Sequence, residues 1–412
     1  MNESAQSFVM GATNGQERFV LPWSGRGVNY TEEDINAVVS AMRNADPLTQ
    51  GVYRDEFEKV FSDFHEGIPA FATSSCAGAL ELSADLIQLS PGEEVIMPAH
   101  TYVASAIPFA RRGATLVWAD INPDTRVITA DTIAPLITTR TKAIVMVHLY
   151  GLCGPMDQIM ALSEKHGFYV IEDCAQALGA SFLRKKSGTF AHLSCYSFHA
   201  QKNITTLGEG GMIIAKLPEH AKLIPGLRHN GHREFLPDRP YYWMPATMNV
   251  DFDIDGVWPH NFSIGEPQCA LGTHLIRRLE DLNMRRYRHA RRIIDALSDC
   301  PELRFQQLPQ GSTHVYHLLC ARYDSGQPGV DRNDLIRLLA FEHKIQAMVQ
   351  YYPLYRYPLM KKAGFGEADC PNTDFFFDNM LSLPFYEWYS DKMIVYLIEA
   401  VKSAVKKLRM GK

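Results

Sequence analysis

The chain predicts an α/β protein: a mostly parallel sheet of seven strands with helical crossovers, followed by a smaller C-terminal α/β domain. Three observations carry this prediction. Between about Ala70 and Lys216, short apolar runs alternate with helical stretches, the pattern of crossover units that build parallel sheets. The runs are apolar throughout rather than alternating, as in strands covered on both faces. With 412 residues and 46% hydrophobic side chains, the chain is long and apolar enough for two or three domains, each with its own core.

Taken in order, Thr31-Glu32-Glu33-Asp34 opens a helix, because Thr31 can cap it and the acids meet the positive end of the dipole. This segment forms an N-terminal arm. The strand candidates are AFATSS (70–75), EVIMPA (94–99), TLVWADI (115–121), AIVMVHLYG (143–151), YVIEDC (169–174), LSCYSF (193–198) and GGMIIAK (210–216). Helices fall between them at Ala77 to Leu89, at Ala104 to Arg111, and at Met156 to His166 behind Pro155. Residues 251–265 are rich in Asp, Gly, Pro and aromatics, and a long helical run from Glu266 to Leu297 follows. HVYHLLCARY (314–323) reads as a strand, Asp331 to His343 as a helix and Ser390 to Leu408 as the terminal helix. The division is therefore an arm and large domain over 1–265, and a linking helix with a small domain over 266–412.

Composition removes several function classes. The 46 acidic and 41 basic side chains leave a charge of −5, too mild to argue for nucleic acid, a membrane surface or a polyanionic partner, so neither nucleic acid nor membrane is expected. No apolar run approaches the ~18 residues of a membrane span, and Met1 to Glu17 is polar with no apolar core of a signal peptide, so the expectation is a cytoplasmic protein. The eight cysteines are scattered with no CxxC pair, and no histidine pair has ligand spacing, so no metal is assigned. The cluster Arg277, Arg278, Arg285, Arg286, Arg288, Arg291 and Arg292 is interrupted by Glu280 and Asp281 and reads as a solvated helix between domains rather than a nucleic-acid face.

The chemistry concentrates in Ser197-Phe198-His199-Ala200-Gln201-Lys202-Asn203, between a buried strand and a glycine-rich turn. A lysine there needs a partner or a covalent use such as a Schiff base; alone it could equally be a surface lysine. Glu172-Asp173 closes the strand YVIEDC, and a carboxylate at a strand's C-terminal end sits where ligands of such sheets bind. A carboxylate near a lysine that holds an aldehyde cofactor suggests pyridoxal phosphate, whose pyridine nitrogen must stay protonated, and Asp173 fits that need.

TSSCAGALELSADL, PGEEVIMPAHTYVAS, TRTKAIVMVHLYG, VIEDCAQALGA and SFHAQKNITTLGEGG resemble successive motifs of the DegT/DnrJ/EryC1/StrS family of sugar and cyclitol aminotransferases. The likeness runs from LTQGVYRDEFE (48–58) through HNFSIGEPQCALG (260–272) to YYPLYRYP (351–358) and LSLPF (381–385). It implies the aspartate-aminotransferase-like architecture, fold-type I, as a homodimer with shared sites. Lys202 is then the Schiff-base lysine and proton carrier, Asp173 pairs with the pyridine nitrogen, Gln176 faces the ring and Tyr102 stacks on it. Ser75, Cys76 and Ala77 offer backbone amides to the phosphate at a helix start, Ser197 adds a hydroxyl, and Asn261 reaches the partner's phosphate. The chain departs from the family pattern at Cys76-Ala77-Gly78, where a threonine hydroxyl is lost.

The resemblance further implies transamination, with pyridoxamine phosphate as the intermediate cofactor form. The donor would be L-glutamate, and the acceptor a nucleotide-linked keto-deoxysugar or a keto-sugar acid such as an octulosonate, for surface-polysaccharide or natural-product synthesis. A family branch that dehydrates sugars carries histidine at the lysine position, and Lys202 argues against it. His199, His229 and Tyr352 are the substrate-contact candidates. A keto-cyclitol acceptor, or a cofactor-binding regulator without turnover, are the alternatives.

Overall fold

The computed structural model describes residues 19–232, 240–244 and 249–411; the segment Met1 to Glu17, Arg233 and Arg239 lie outside the described residues. Every predicted run of the central block becomes a strand: β1 Ala70–Thr73, β2 Glu94–Pro98, β3 Thr115–Ala119, β4 Thr141–Val147 and β5 Tyr169–Asp173. A short hairpin, β6 Ser181–Phe182 with β7 Lys185–Lys186, precedes β8 Leu193–Ser197 and β9 Gly211–Ala215. The seven-stranded sheet has the order β1-β9-β8-β5-β4-β2-β3, all parallel except β9, which runs antiparallel to both β1 and β8. The strands are apolar on both faces because helices cover both: β2 and β9 are buried along their whole length.

The helix Cys76–Leu86 starts where Ser75 accepts a hydrogen bond from the Gly78 amide at 3.1 Å. It is buried almost throughout, including Glu81 and Asp85, whose carboxylates are paired with Arg111 and Arg112, and His260 adds a contact to Asp85 at 2.8 Å. Thr31 caps Glu32–Asn44 as the sequence predicts, in a reciprocal capping box with Asp34.

The long helical run divides into Glu266–Arg277 and Leu279–Ala296. Arg278, at φ −110° and ψ 12°, turns the chain, and its guanidinium donates to the Asn29 carbonyl at 2.9 Å and pairs with Asp34. Arg286 departs from the solvated reading of this helix. It is 2% exposed, and it donates to the carbonyls of Tyr316 (2.9 Å) and His317 (2.8 Å). The same contacts shorten the strand expected over 314–323 to β11 Leu319–Tyr323, because the preceding carbonyls face Arg286 and Asn203 instead of a ladder.

In the C-terminal part, β10 Leu303–Phe305, β11 and β12 Met380–Leu383 form an antiparallel sheet backed by the helices Arg332–Phe341 and Asp391–Arg409. A separate apolar cluster around Tyr323, Leu335, Leu397 and Val401 fills it, joined by Leu21 from the start of the described chain. Among the described residues no helix is long and apolar enough to cross a membrane.

Candidate active site

The C-terminal ends of β1, β2, β5 and β8 open into one cavity of about 370 Å³. It is lined by Ser75, Cys76, Ala77, Tyr102, Asp173, Gln176, Ser197, His199 and Lys202, nine of the twelve site residues expected from sequence. They are gathered by topology: parallel strands deliver their loops to the same edge of the sheet.

Asp173 ends β5 and is 4% exposed. Ser105 Oγ donates to its Oδ2 at 2.7 Å and the Ala175 amide to its Oδ1 at 3.1 Å, so the carboxylate is fixed by two donors. Ser105 is itself held by Thr101 at 3.1 Å. Burial pushes the Lys202 ammonium below the ordinary lysine range, against the opposing pull of Asp173 and, more weakly, Cys76. The backbone at Lys202 is enclosed by the N-terminal segment: an added Cβ on Gly27 would lie 2.0 Å from the Lys202 carbonyl oxygen. Only glycine passes there.

Gln176, 5% exposed, accepts from the Tyr150 amide at 2.8 Å, leaving its Nε2 near the Tyr351 hydroxyl at 3.4 Å. Tyr102 stands at the mouth, 55% exposed, edge-on to Tyr351 with ring centroids 5.9 Å apart. Beside β5, the fully buried Glu172 accepts from the amides of Gly188, Phe190 and Ala191 and from His148 Nε2 at 2.9 Å. His148 Nδ1 accepts from the Gly154 amide at 3.2 Å, which puts the proton on Nε2. With Cys174 these form a close His/Glu/Cys group, but both Glu172 oxygens are already engaged by donors, and burial holds Cys174 as a thiol.

Three expected residues stand apart from the cavity. Tyr352 packs edge-on against Tyr357 and Phe377, and its neighbour Tyr351 lines the site instead. His229 stacks on His232 at 4.8 Å and contacts Gln50 and Ser263. Asn261 is exposed and bridged to His229 through the backbone. Sequence reasoning missed Thr101, Ser105, Gln201, Glu209, His317, Gln350 and Tyr351. Ser105, one turn beyond Thr101 in HTYVAS, was within reach of a helical-spacing argument. Burial with Lys202 and Arg286 nearby drives His317 well below the ordinary histidine range, so it is neutral.

The arrangement therefore offers a lysine amine, a fixed carboxylate, and the amide-rich start of the helix Cys76–Leu86 in one enclosure, a set able to hold a phosphorylated aldehyde.

Known proteins bear on this site. The chain is 33% identical to the spore coat polysaccharide biosynthesis protein SpsC of Bacillus subtilis (strain 168), over 91% of this chain and 95% of that one. It is 30% identical to a UDP-N-acetyl-3-dehydro-alpha-D-glucosamine 3-aminotransferase of Acidithiobacillus ferrooxidans, covering 80% and 82% of the two chains. Its fold matches a solved structure described as a sugar aminotransferase of Streptococcus pneumoniae, PMP-form, with a TM-score of 0.84 at 27% identity over 94% of this chain and 100% of that one. The model of the DegT/DnrJ/EryC1/StrS aminotransferase family matches residues 29–402, so this chain, with its lysine and carboxylate set at one sheet edge, belongs to that aminotransferase family.

Proposed function

We propose that the enzyme binds pyridoxal phosphate in this cavity and transfers an amino group from L-glutamate to a keto-sugar, with a nucleotide-linked keto-deoxysugar or keto-sugar acid as acceptor class. The observation that carries the reading is that Lys202 and a buried, doubly donated Asp173 line one cavity. The residues fit the cofactor. Lys202 would hold the aldehyde, Asp173 the pyridine nitrogen, Gln176 and Tyr102 the ring, and Ser197 with the amides of Ser75, Cys76 and Ala77 the phosphate. When bound, the group supplies the electron sink on which transamination depends.

The chain's own residues do the rest. Burial lowers the basicity of Lys202 Nζ, which makes it a readier proton carrier than an exposed lysine, and in each half-reaction it would move a proton from the carbon that loses it to the carbon that gains it. Asp173, anchored by Ser105 and Ala175, would hold its carboxyl group in place for the pyridine nitrogen. Neutral His317 and the Gln350–Tyr351 edge complete the cavity lining from the C-terminal part.

The sugar assignment is supported by the relatives' names, a polysaccharide biosynthesis protein and an aminotransferase of a UDP-linked keto-sugar. The homodimer is supported by Asn261: exposed and outside its own chain's cavity, it stands free to serve a partner's phosphate. A cytoplasmic location accords with nucleotide-linked or sugar-acid acceptors.

The test is the visible absorbance of the purified, cofactor-loaded protein. Addition of L-glutamate should bleach the band near that of a lysine-bound pyridoxal, and one member of a panel of keto-sugars and keto-cyclitols should restore it. A band that no amino donor changes would overturn the transferase reading in favour of a regulator. Restoration by a keto-cyclitol alone would replace the sugar acceptor.

A further inference from the structure

Three arginines lie in the region where the small sheet meets the large domain. Arg304 faces Arg322 directly across the antiparallel β10–β11 ladder. The Arg322 guanidinium lies 4.8 Å over the ring of Phe375, and that of Arg126 lies 4.5 Å over Phe376, the next residue of the helix Pro371–Asn379. The chain just past β10 is pinned to the turn carrying Arg126: the Gln307 amide donates to the Asp124 carbonyl at 3.0 Å and Gln306 Nε2 to the Thr125 carbonyl at 2.6 Å.

None of this arrangement is self-compensating. Arg126 is 3% exposed, and both its Nε and that of Arg322 are buried without an acceptor. The neighbouring acids are engaged elsewhere. Asp120 accepts from the amides of Asn372 and Thr373, Asp374 and Asp378 pair with Arg356, and Asp124 accepts from the Gln307 side chain at 3.2 Å. Like charges opposed across a ladder and guanidinium donors buried unmet are each unfavourable, and both penalties vanish when an oxyanion is bound. Burial, with Arg322 adding to it, lowers Arg126 only to about 10, so its charge is retained at neutral pH.

We propose that Arg126, Arg304 and Arg322 form a second anion site that takes a phosphate group, separate from the cofactor cavity, with which it shares no lining residue. Planar guanidiniums braced on aromatic rings suit the multidentate geometry of phosphate oxygens better than a single halide. The phosphate can be free or carried on a nucleoside diphosphate, and the experiment separates the two.

The holoenzyme, with its cofactor bound so that the cofactor's own phosphate position is filled, is titrated with inorganic phosphate, UDP or chloride at constant ionic strength while the melting temperature is followed. Phosphate or UDP should raise it saturably, and chloride should not. Arg304→Gln and Arg322→Gln, which are not buried as Arg126 is, should each weaken the apparent affinity about tenfold with the cofactor absorbance unchanged. A response to UDP alone assigns the nucleotide-linked source; a response to both assigns the phosphate group itself. The proposal is overturned if neither anion gives a saturable shift, if chloride matches them, or if the two variants bind as the parent does.

Discussion

Replacing Gly211 with alanine should damage cofactor binding more than folding. Gly211 opens β9 and is in register with Thr73 of β1 on one side and Ser197 of β8 on the other, so one backbone position separates the two segments proposed to hold the phosphate. An added Cβ would lie 2.4 Å from the Ser75 carbonyl carbon, 2.5 Å from its oxygen and 2.6 Å from the Cys76 nitrogen. Ordinary contact begins at 3.4 Å, so the start of the helix Cys76–Leu86 must retreat by about 1 Å. Backbone strain is not the obstacle, because Gly211 has no positive φ. Overpacking of this kind costs about 1–3 kcal/mol of stability, whereas a displacement of about 1 Å at a site that depends on fixed amides costs on the order of 100-fold in function. Equilibrium titration of the apoprotein with pyridoxal phosphate, followed by absorbance, should show a Kd roughly 100-fold weaker in Gly211→Ala. Gly25→Ala, whose Cβ would meet nothing within 4 Å, should match the parent. Parent-like cofactor affinity in a folded Gly211→Ala variant would refute the placement of the phosphate at Ser75 to Ala77.

Lys202→Ala should abolish the lysine-dependent visible band and lower turnover by about 10²- to 10⁴-fold, the range of a lost positioned acid/base; turnover at the parent rate would remove Lys202 from the chemistry. Asp173→Asn keeps the shape but not the charge, and should retain cofactor while losing about 10- to 1000-fold in kcat, the equivalent of one to three pKa units at the pyridine nitrogen; full activity would exclude the assigned pairing. Acid should destabilise the fold through His314. Its Nε2 donates to Gln306 at 2.9 Å while Nδ1 accepts from the Tyr316 amide at 2.8 Å, an arrangement only the neutral ring can satisfy, and burial lowers it to about 3. Since the folded value lies below the unfolded one of about 6.5, the contribution is complete above pH 6.5 and is lost progressively as pH falls toward 3. At pH 5 the loss relative to pH 8 is about 2 kcal/mol. Urea unfolding at the two pH values should show that loss in the parent and a smaller one in His314→Gln, and equal losses would contradict it.

The seven central strands were legible because strands covered on both faces must be continuously apolar, and continuous apolar runs survive inspection without any partner in view. Asp173 was legible for a related reason, since it ends such a run, and Lys202 follows another by five residues. What escaped was set by contacts distant in sequence. Tyr351, Gln350 and His317 enter the cavity from the C-terminal part, whose path over the site no local pattern encodes, and of the two adjacent tyrosines it is Tyr351 that lines the cavity while Tyr352 packs against Tyr357 and Phe377. Arg286 looked like one more solvated cation until the carbonyls of Tyr316 and His317 came to face it. The helix Glu266 to Leu297 read as continuous because the break at Arg278 is tied to Asn29 and Asp34, far upstream.

The reversed strand β9 also sets a schedule for assembly. β1 emerges early in synthesis, yet its partner in the sheet arrives only with β9, so Thr73 waits for Gly211 across nearly the whole of the central block. Until then β1 has no neighbour, β8 is an open edge, and the helix start proposed to hold the phosphate has nothing to fix it. Such a long-range closure is slow to form and leaves apolar strand edges exposed meanwhile. A nascent or truncated chain ending before about residue 210 would therefore be prone to aggregation. Cofactor added during refolding would act late, by trapping the final closure rather than by guiding the steps before it.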